Sequence, residues 1–289
     1  MRRQPSEDWS AAELVEDAIV QATRDEEDDD AYWAPIRVLQ KREPNAVWTA
    51  VSPLASSDDP RIQSLVADIL GSLAEPAFGL ERATLGLFRS MLDKAPPPEV
   101  VASVGHALGQ FSESDAGFEM MLAYADHDDV RVRQGVVSAL LGKRDPRAIQ
   151  TLVRLSSDEH EQIRDWATFG LASELGDPGD ADLVDTLEVR AALAARLDDE
   201  HASTRAEAVV GLAARRDPRA LPCVLDALTA DSFAMDYVKA ARHLGDASLA
   251  APLRDLLTNP EWRHEFEPDD LVEIKAALTA CAGATPDSN

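Results

Sequence analysis

The residues of this 289-residue chain whose types most directly suggest chemistry are two histidine–glutamate pairs, His160-Glu161 and His264-Glu265. Imidazole and carboxylate are ordinary metal ligands, but a metal needs several of them converging at about 2 Å on one ion. These pairs read as loop residues about a hundred positions apart, out of register with each other. Cys223 and Cys281 have neither a disulfide framework nor a metal-binding spacing and read as free thiols packed on helices. A glycine-rich phosphate loop, a nucleophile elbow and a Cys/His pair in register are all missing. Paired carboxylates are too abundant in so acidic a chain to be informative. The remaining cluster of interest is Asp165-Trp166 with Phe169: a carboxylate beside an indole, near a second ring. That is recognition chemistry rather than bond-making chemistry. The expectation is a chain with no catalytic residue, no cofactor and no metal.

Charge narrows the partner. Asp and Glu number 53 against 28 Lys and Arg, a formal net charge of −25. Nucleic acid and anionic membrane both require a positive surface that displaces counterions, so neither is expected as a partner. A basic protein partner is compatible with this charge, and so is a charge that serves solubility alone. The amino-terminal residues lead into an amphipathic stretch without the apolar run of a signal peptide. No stretch approaches the roughly 20 apolar residues of a membrane span. The reading is a cytoplasmic protein, with a monomer favoured.

The elements that must position these residues repeat. Val130-Arg-Val-Arg-Gln-Gly-Val-Val-Ser-Ala-Leu140, Gln162-Ile-Arg-Asp-Trp-Ala-Thr-Phe-Gly-Leu171 and Ser203-Thr-Arg-Ala-Glu-Ala-Val-Val-Gly-Leu212 each place an Arg seven residues before a Leu. Small or apolar residues lie between them at helical spacing. A unit of this kind cannot bury its own apolar face and must stack on copies of itself. The anchor leucine can be traced through Leu70, Leu108, Leu140, Leu171, Leu212 and Leu244, at separations of 38, 32, 31, 41 and 32, with insertions at 75–94 and 176–189. Turns such as Arg144-Asp-Pro-Arg-Ala148, Arg216-Asp-Pro-Arg-Ala220 and Gly245-Asp-Ala-Ser-Leu249 supply an Asp cap and often a proline in the first helical turn.

Residues 31–282 are expected to form one solenoid of about seven helical pairs, beginning with a degenerate pair over Asp30–Ser56 broken near Glu43-Pro44. A closing helix is expected over Glu267–Cys281, and residues 283–289 should fray. Before the array, residues 1–30 should hold an N-terminal helix opened by the capping box Ser10-Ala-Ala-Glu13 and an acidic linker over residues 24–30. No strand signal is found. The fold class is all-α, an α-solenoid.

The phrase pattern, with Asp-Pro-Arg-Ala following it, resembles the bacterial HEAT repeats, especially the short kind first noted in phycobilin lyases, over about Asp58–Leu257. Arg164-Asp-Trp-Ala-Thr-Phe-Gly-Leu171 is further similar to a motif of one group of bacterial HEAT-repeat proteins. The resemblance implies helical-pair repeats wound into a right-handed superhelix, with the second helix of each pair lining the concave side. It implies little about function.

Projected at about 100° per residue, Ile163, Ala167, Gly170 and Leu171 share the packing arc of their helix, and Asp165 and Phe169 lie opposite. Carried through the array, one inner row is Asp68, His106, Ser138, Phe169, Val210 and Arg242. A second is Ser64, Ala102, Gln134, Asp165, Ala206 and Val238. A flanking row is Leu65, Ser103, Gly135, Trp166, Glu207 and Lys239.

The repeated Arg133, Arg164 and Arg205 read as scaffolding, because a packing contact is needed in every unit and an active site only once. In HEAT repeats such an Arg typically pairs with an Asp, and Asp158 and Asp199 stand six residues before Arg164 and Arg205. The inner rows do not repeat, so the candidate partner-binding residues are His106, Asp165, Trp166, Phe169, Glu207 and Arg242. A competing reading has Trp166 lying flat against the 176–189 insertion and Phe169 filling a packing gap.

Enzymes within the resemblance set further tests. Deoxyhypusine hydroxylase holds iron with His-Glu pairs six and five residues before the anchor, where this chain has Gln134-Gly135, Asp165-Trp166, Ala206-Glu207 and Val238-Lys239. HEAT-like DNA glycosylases use an Asp and a Trp, but in a basic cleft that this charge does not provide. Nothing marks a bilin pocket. The functional expectation is a non-enzymatic scaffold binding a protein on an acidic concave face. The alternatives are an acidic immunity- or antitoxin-like inhibitor of a basic protein such as a nuclease, and a HEAT-fold enzyme of glycosylase or bilin-lyase type.

Overall fold

A computed structural model describes residues 5, 8–24, 28–73, 79–111, 117–176, 182–230, 235–259 and 266–283. Every regular element among them is helical. The chain divides into two compact units, residues 1–148 and 149–289.

The first unit opens with α1 (Ala11–Ala22), where the Ser10 hydroxyl accepts the Glu13 amide and Glu13 reaches back to the Ser10 amide. This is the capping box expected from sequence. Leu14, Val15 and Ala18 of α1 are buried against α2 (Asp29–Leu39) and α3 (Pro44–Val51). Asp28 caps α2. Glu43 caps α3, and Pro44 occupies its first turn, so the break expected near Glu43-Pro44 is a helix start. Next come α4 (Pro60–Gly71), α5 (Glu81–Leu92) and α6 (Pro98–Gly109). Two short 3-10 turns, Phe118–Met120 and Leu122–Tyr124, then lead to α7 (Val130–Leu140). The helix α8 (Pro146–Leu155) begins at the end of this unit. In the second unit follow α9 (Glu161–Ser173), α10 (Leu187–Ala194), α11 (Ala202–Ala214), α12 (Ala220–Leu228), α13 (Asp236–Leu244), α14 (Ala250–Thr258) and α15 (Pro268–Ala282). The expected closing helix is α15, capped at Glu267.

The anchor helices form the spine of each unit: α4 packs on α6 and α6 on α7 in the first, and α9, α11, α13 and α15 pack in succession in the second. All six anchor leucines lie in these helices. Between α6 and α7 the backbones touch. A Cβ at Gly105 would stand 2.6 Å from the Gly135 backbone, and one at Gly135 would stand 2.8 Å from the Ala102 carbonyl oxygen.

Helix starts reuse one device. At Asp59/Arg61, Asp129/Arg131, Asp145/Arg147 and Asp217/Arg219 the Asp carboxylate accepts the amide of the residue two positions on. The guanidinium of that same residue folds back onto the carboxylate. An orphan amide and an ion pair are satisfied together. These pairs hold the carboxyls of Asp59, Asp129, Asp145 and Asp217 below the usual aspartate range, Asp129 at about 2.

The arginine ladder is structural and differs from expectation in its partner. Arg133 donates to the carbonyls of His127 and Asp128, Arg164 to those of Asp158 and Glu159, and Arg205 to those of Asp199 and Glu200. Each arginine therefore ties down the loop entering its own helix. In α4, Gln63 does the same to Ser57. The carboxylate that Arg164 grips is not Asp158, six residues before it, but Asp199 at the start of the following repeat, at 3.0 and 3.2 Å. The Asp158 carboxylate instead accepts the His160 amide at 2.8 Å.

Two further clamps follow the anchor leucine by three residues. Lys143 is buried and donates to the Phe111 carbonyl at 2.8 Å. Arg215 is buried and donates to the carbonyls of Gly211, Leu171 and Val184, joining α11 to the end of α9 and to the insertion before α10. Burial lowers the Arg215 pKa from its ordinary value.

Candidate functional site

Five of the six candidate residues belong to the second unit, on α9, α11 and α13. Trp166 is 46% exposed, one of few large apolar side chains left in solvent among the described residues. It stands on the outer side of α9 because Ile163, Ala167, Gly170 and Leu171, at helical spacing around it, are all buried. Phe169, expected to be exposed, is half-buried: it meets the Trp166 ring edge-on, with centroids 5.7 Å apart and planes at 84°. One turn of helix brings the two rings together, and the contact shields the smaller one. The expected contact of Trp166 with the 176–189 insertion falls partly on residues 177–181, outside the described residues.

Two carboxylates flank this aromatic pair. Asp165 is half-buried; the Thr204 hydroxyl donates to its Oδ1 at 3.0 Å, and His201 Nδ1 lies 3.5 Å from the same oxygen. Glu207, on α11, accepts from the Ser173 hydroxyl at 3.3 Å, and burial raises its pKa above the usual glutamate value. Arg242, on α13, is paired with both carboxylate oxygens of Glu273 at 3.1 Å. It is one half of an ion pair rather than a free cation on the face.

The projected rows are only partly surface. The row containing Phe169 is half-buried or exposed at every position. The row containing Asp165 is not an inner surface, because Ala102, Ala206 and Val238 are buried. Its small or branched residues sit where successive anchor helices meet. In the flanking row Leu65 and Gly135 are buried as well, Gly135 at the close approach to α6. A single-helix projection cannot tell the arc that meets the neighbouring anchor helix from the arc that meets solvent.

His106, the sixth candidate, belongs to the first unit. It lies on α6, lining a cavity of about 230 Å³ with Asp68 of α4, Trp33 of α2 and Gln40 just past the end of α2. Burial lowers the His106 pKa, so the ring is neutral at pH 7. Asp68 accepts from the hydroxyls of Tyr32 and Ser103. Burial pushes its carboxyl up to about 6 against the pull of those two hydrogen bonds. The sequence reading placed Asp68 and His106 in one row but missed Tyr32 and Trp33, which lie outside the traced repeats.

Among the described residues no group of three or more His, Cys, Asp or Glu side chains could hold a metal ion. His160 is the cap of α9 and Glu161 its first residue, so the pair is a helix start rather than a loop as expected. His264-Glu265 lies outside the described residues. Both thiols are raised by burial, Cys281 to about 11, and the Cys281 thiol donates to the Ala241 carbonyl at 3.3 Å. No helix among the described residues is long and apolar enough to cross a membrane.

The family model for HEAT repeats matches residues 85–172 and 154–245, which together cover more than half of the chain. The chain belongs to the HEAT-repeat family. Protein YibA of Escherichia coli K12 is 26% identical over 141 residues, 49% of this chain and 45% of YibA, as is YibA of Escherichia coli O157:H7. The aligned region thus spans less than half of the length of these relatives. The crystal structure of Escherichia coli YibA superposes with a TM-score of 0.72 at 20% identity, covering 98% of this chain and all of that one. An engineered protein superposes with a TM-score of 0.57 at 15% identity, over 95% of this chain and 79% of that one. These likenesses show the fold, an all-α solenoid of HEAT repeats. The α9–α11–α13 helices, which pack in succession, and the α6–α7 helices, which pack on each other, lie within the matched residues.

Proposed function

We propose that this HEAT chain is a non-enzymatic interaction scaffold and that the Trp166 face of its second unit seats a protein partner. The observation that carries the reading is the Trp166–Phe169 pair: a large ring left in solvent, backed by a second ring and flanked by Asp165 and Glu207. Aromatic anchors with a polar rim are the usual energetic centre of a protein interface. Among the described residues such an exposed, edge-on aromatic pair recurs only at Tyr32–Trp33 in the first unit, whereas the clamps that hold the fold recur from repeat to repeat. Asp165, Glu207 and the net charge of −25 favour a basic segment, steering its approach more than fixing its affinity. A partner basic because it binds nucleic acid is a special case, in which this chain would act as an inhibitor.

Affinity purification from the source cell identifies the partner, and titration calorimetry with the purified pair then measures the face. Trp166→Ala should weaken binding by about 2 kcal/mol, roughly thirtyfold. Raising the salt should slow association. Unchanged affinity would remove Trp166 from the site, and salt-independent association would remove the acidic steering.

A further inference from the structure

The cavity of the first unit has a composition the scaffold does not require. Asp68 is a half-buried carboxylate whose hydrogen bonds come from two neutral hydroxyls, Tyr32 and Ser103, and among the described residues it forms no salt bridge. Two carboxylates that are more fully buried, Asp199 and Asp217, are each paired with two arginines, Asp199 with Arg164 and Arg196 and Asp217 with Arg190 and Arg219. A partly desolvated charge without an ion-pair partner is costly, and a cation brought to it recovers that cost. The cavity beside Asp68 supplies the rest of a cation site. Trp33, 39% exposed, forms a wall. Exposed Gln40 and Gln110 stand at the mouth with amide oxygens able to accept. His106 is neutral and adds no repulsion. A volume of about 230 Å³ is below the range of drug-sized or cofactor pockets and suits one side chain or a small organic ion.

We infer that the cavity between α2, α4 and α6 is a binding site for a planar organic cation of the guanidinium class. The cation pairs with the Asp68 carboxylate and stacks against Trp33. A guanidinium fits better than an ammonium because its plane stacks on an indole and its fork donates to two acceptors at once. The site could be filled by an arginine side chain of a protein or by a free alkylguanidinium. The inference does not depend on the Trp166 reading, which concerns different residues in the other unit.

The test uses the full-length protein at pH 7.5. The indole N–H resonance of Trp33, assigned by its loss in Trp33→Phe, is followed while ethylguanidinium is added. The expected result is a saturable shift that the neutral isostere ethylurea does not produce. Asp68→Asn keeps the shape and removes the charge, and should weaken binding roughly tenfold or more. Trp33→Leu should weaken it roughly two- to fivefold, read by calorimetry, and serves if Asp68→Asn folds poorly. An arginine-containing tripeptide with blocked ends gives the second arm. If it binds as well as ethylguanidinium, the site takes a partner's side chain; if only the free cation binds, the site takes a small molecule. Equal binding of ethylurea, equal binding by Asp68→Asn, or no saturation with either cationic probe would overturn the proposal.

Discussion

Arg164 is the best place to measure what holds this solenoid together. Its guanidinium makes four hydrogen bonds: two to the Asp199 carboxylate at 3.0 and 3.2 Å, and two at 3.1 Å to the carbonyls of Asp158 and Glu159. The side chains of Arg164 and Asp199 are only 16% and 3% exposed, so screening is weak and removal of one leaves the other largely desolvated. Breaking a buried pair costs about 3–5 kcal/mol. Asp199 retains Arg196 at 3.2 Å and the His201 amide at 3.0 Å, which places Arg164→Ala at the lower end, about 3 kcal/mol. In a double-mutant cycle with Asp199→Asn, the coupling should be about 1.5 kcal/mol, the share of the charge-assisted pair alone. Arg131→Ala is the control. Arg131 also pairs with an Asp, at 2.6 Å, but its side chain is 60% exposed, and its loss should cost less than about 1 kcal/mol. Urea unfolding at pH 7, followed by far-ultraviolet circular dichroism, measures all four variants. If Arg164→Ala costs no more than Arg131→Ala and shows no coupling to Asp199, the inter-repeat clamp is not what orients these units.

Three further outcomes follow from the same physics. The Asp68 carboxyl is raised from an ordinary 3.8 to about 6, so its contribution is complete below pH 3.8 and is lost as pH rises through 6; relative to Asp68→Asn, the wild type should lose at most about 3 kcal/mol between pH 4 and 7, measured by urea unfolding across that range. A flat difference would contradict the partly desolvated Asp68 carboxylate. Gly105→Ala places a Cβ 2.6 Å from the Gly135 backbone, where no flexible side chain can yield, and should destabilise by about 2 kcal/mol or more in thermal unfolding, whereas Gly86→Ala, with open space around it, should be neutral or stabilising. Arg215→Met leaves the Leu171 and Val184 carbonyls without their donor, and amide hydrogen exchange should rise first in the insertion around Val184.

Much of the scaffold could be read from the chain because its signals are local. A leucine recurring every 31 to 41 residues, an Asp with a proline after it and an Arg two residues on, and an arginine seven before each anchor specify helices, caps and stacking partners within a few residues. All six anchors fall in stacked helices, and the arginines do tie down loops as a repeated scaffold must. The site was less legible. Projection of one helix identified Trp166 as outward but also offered Ala206 and Val238, because a helix wheel does not record which flank the next helix covers. The clamps at Lys143 and Arg215 do share a sequence position, three after the anchor, but a long basic side chain there looks the same whether it is solvated or buried. Tyr32 and Trp33 lie in the degenerate first pair, where no repeat marked a register, and their meeting with Asp68 spans 36 residues.

The sequence by itself determined that this protein is an all-α HEAT array, that its helices start at Asp and Pro caps, and that its charge is strongly negative. All of these depend on composition or on neighbours a few residues apart. Tertiary structure alone decided which acidic groups are neutralised by a partner and which are not. Asp199 meets an arginine 35 residues away, Arg242 meets Glu273 of α15, and Asp68, among the described residues, meets hydroxyls at the edge of a cavity. The physical reason is that the state of a charge depends on what lies within a few ångströms of it. In a repeat array those neighbours come from the adjacent repeat, about thirty residues away along the chain.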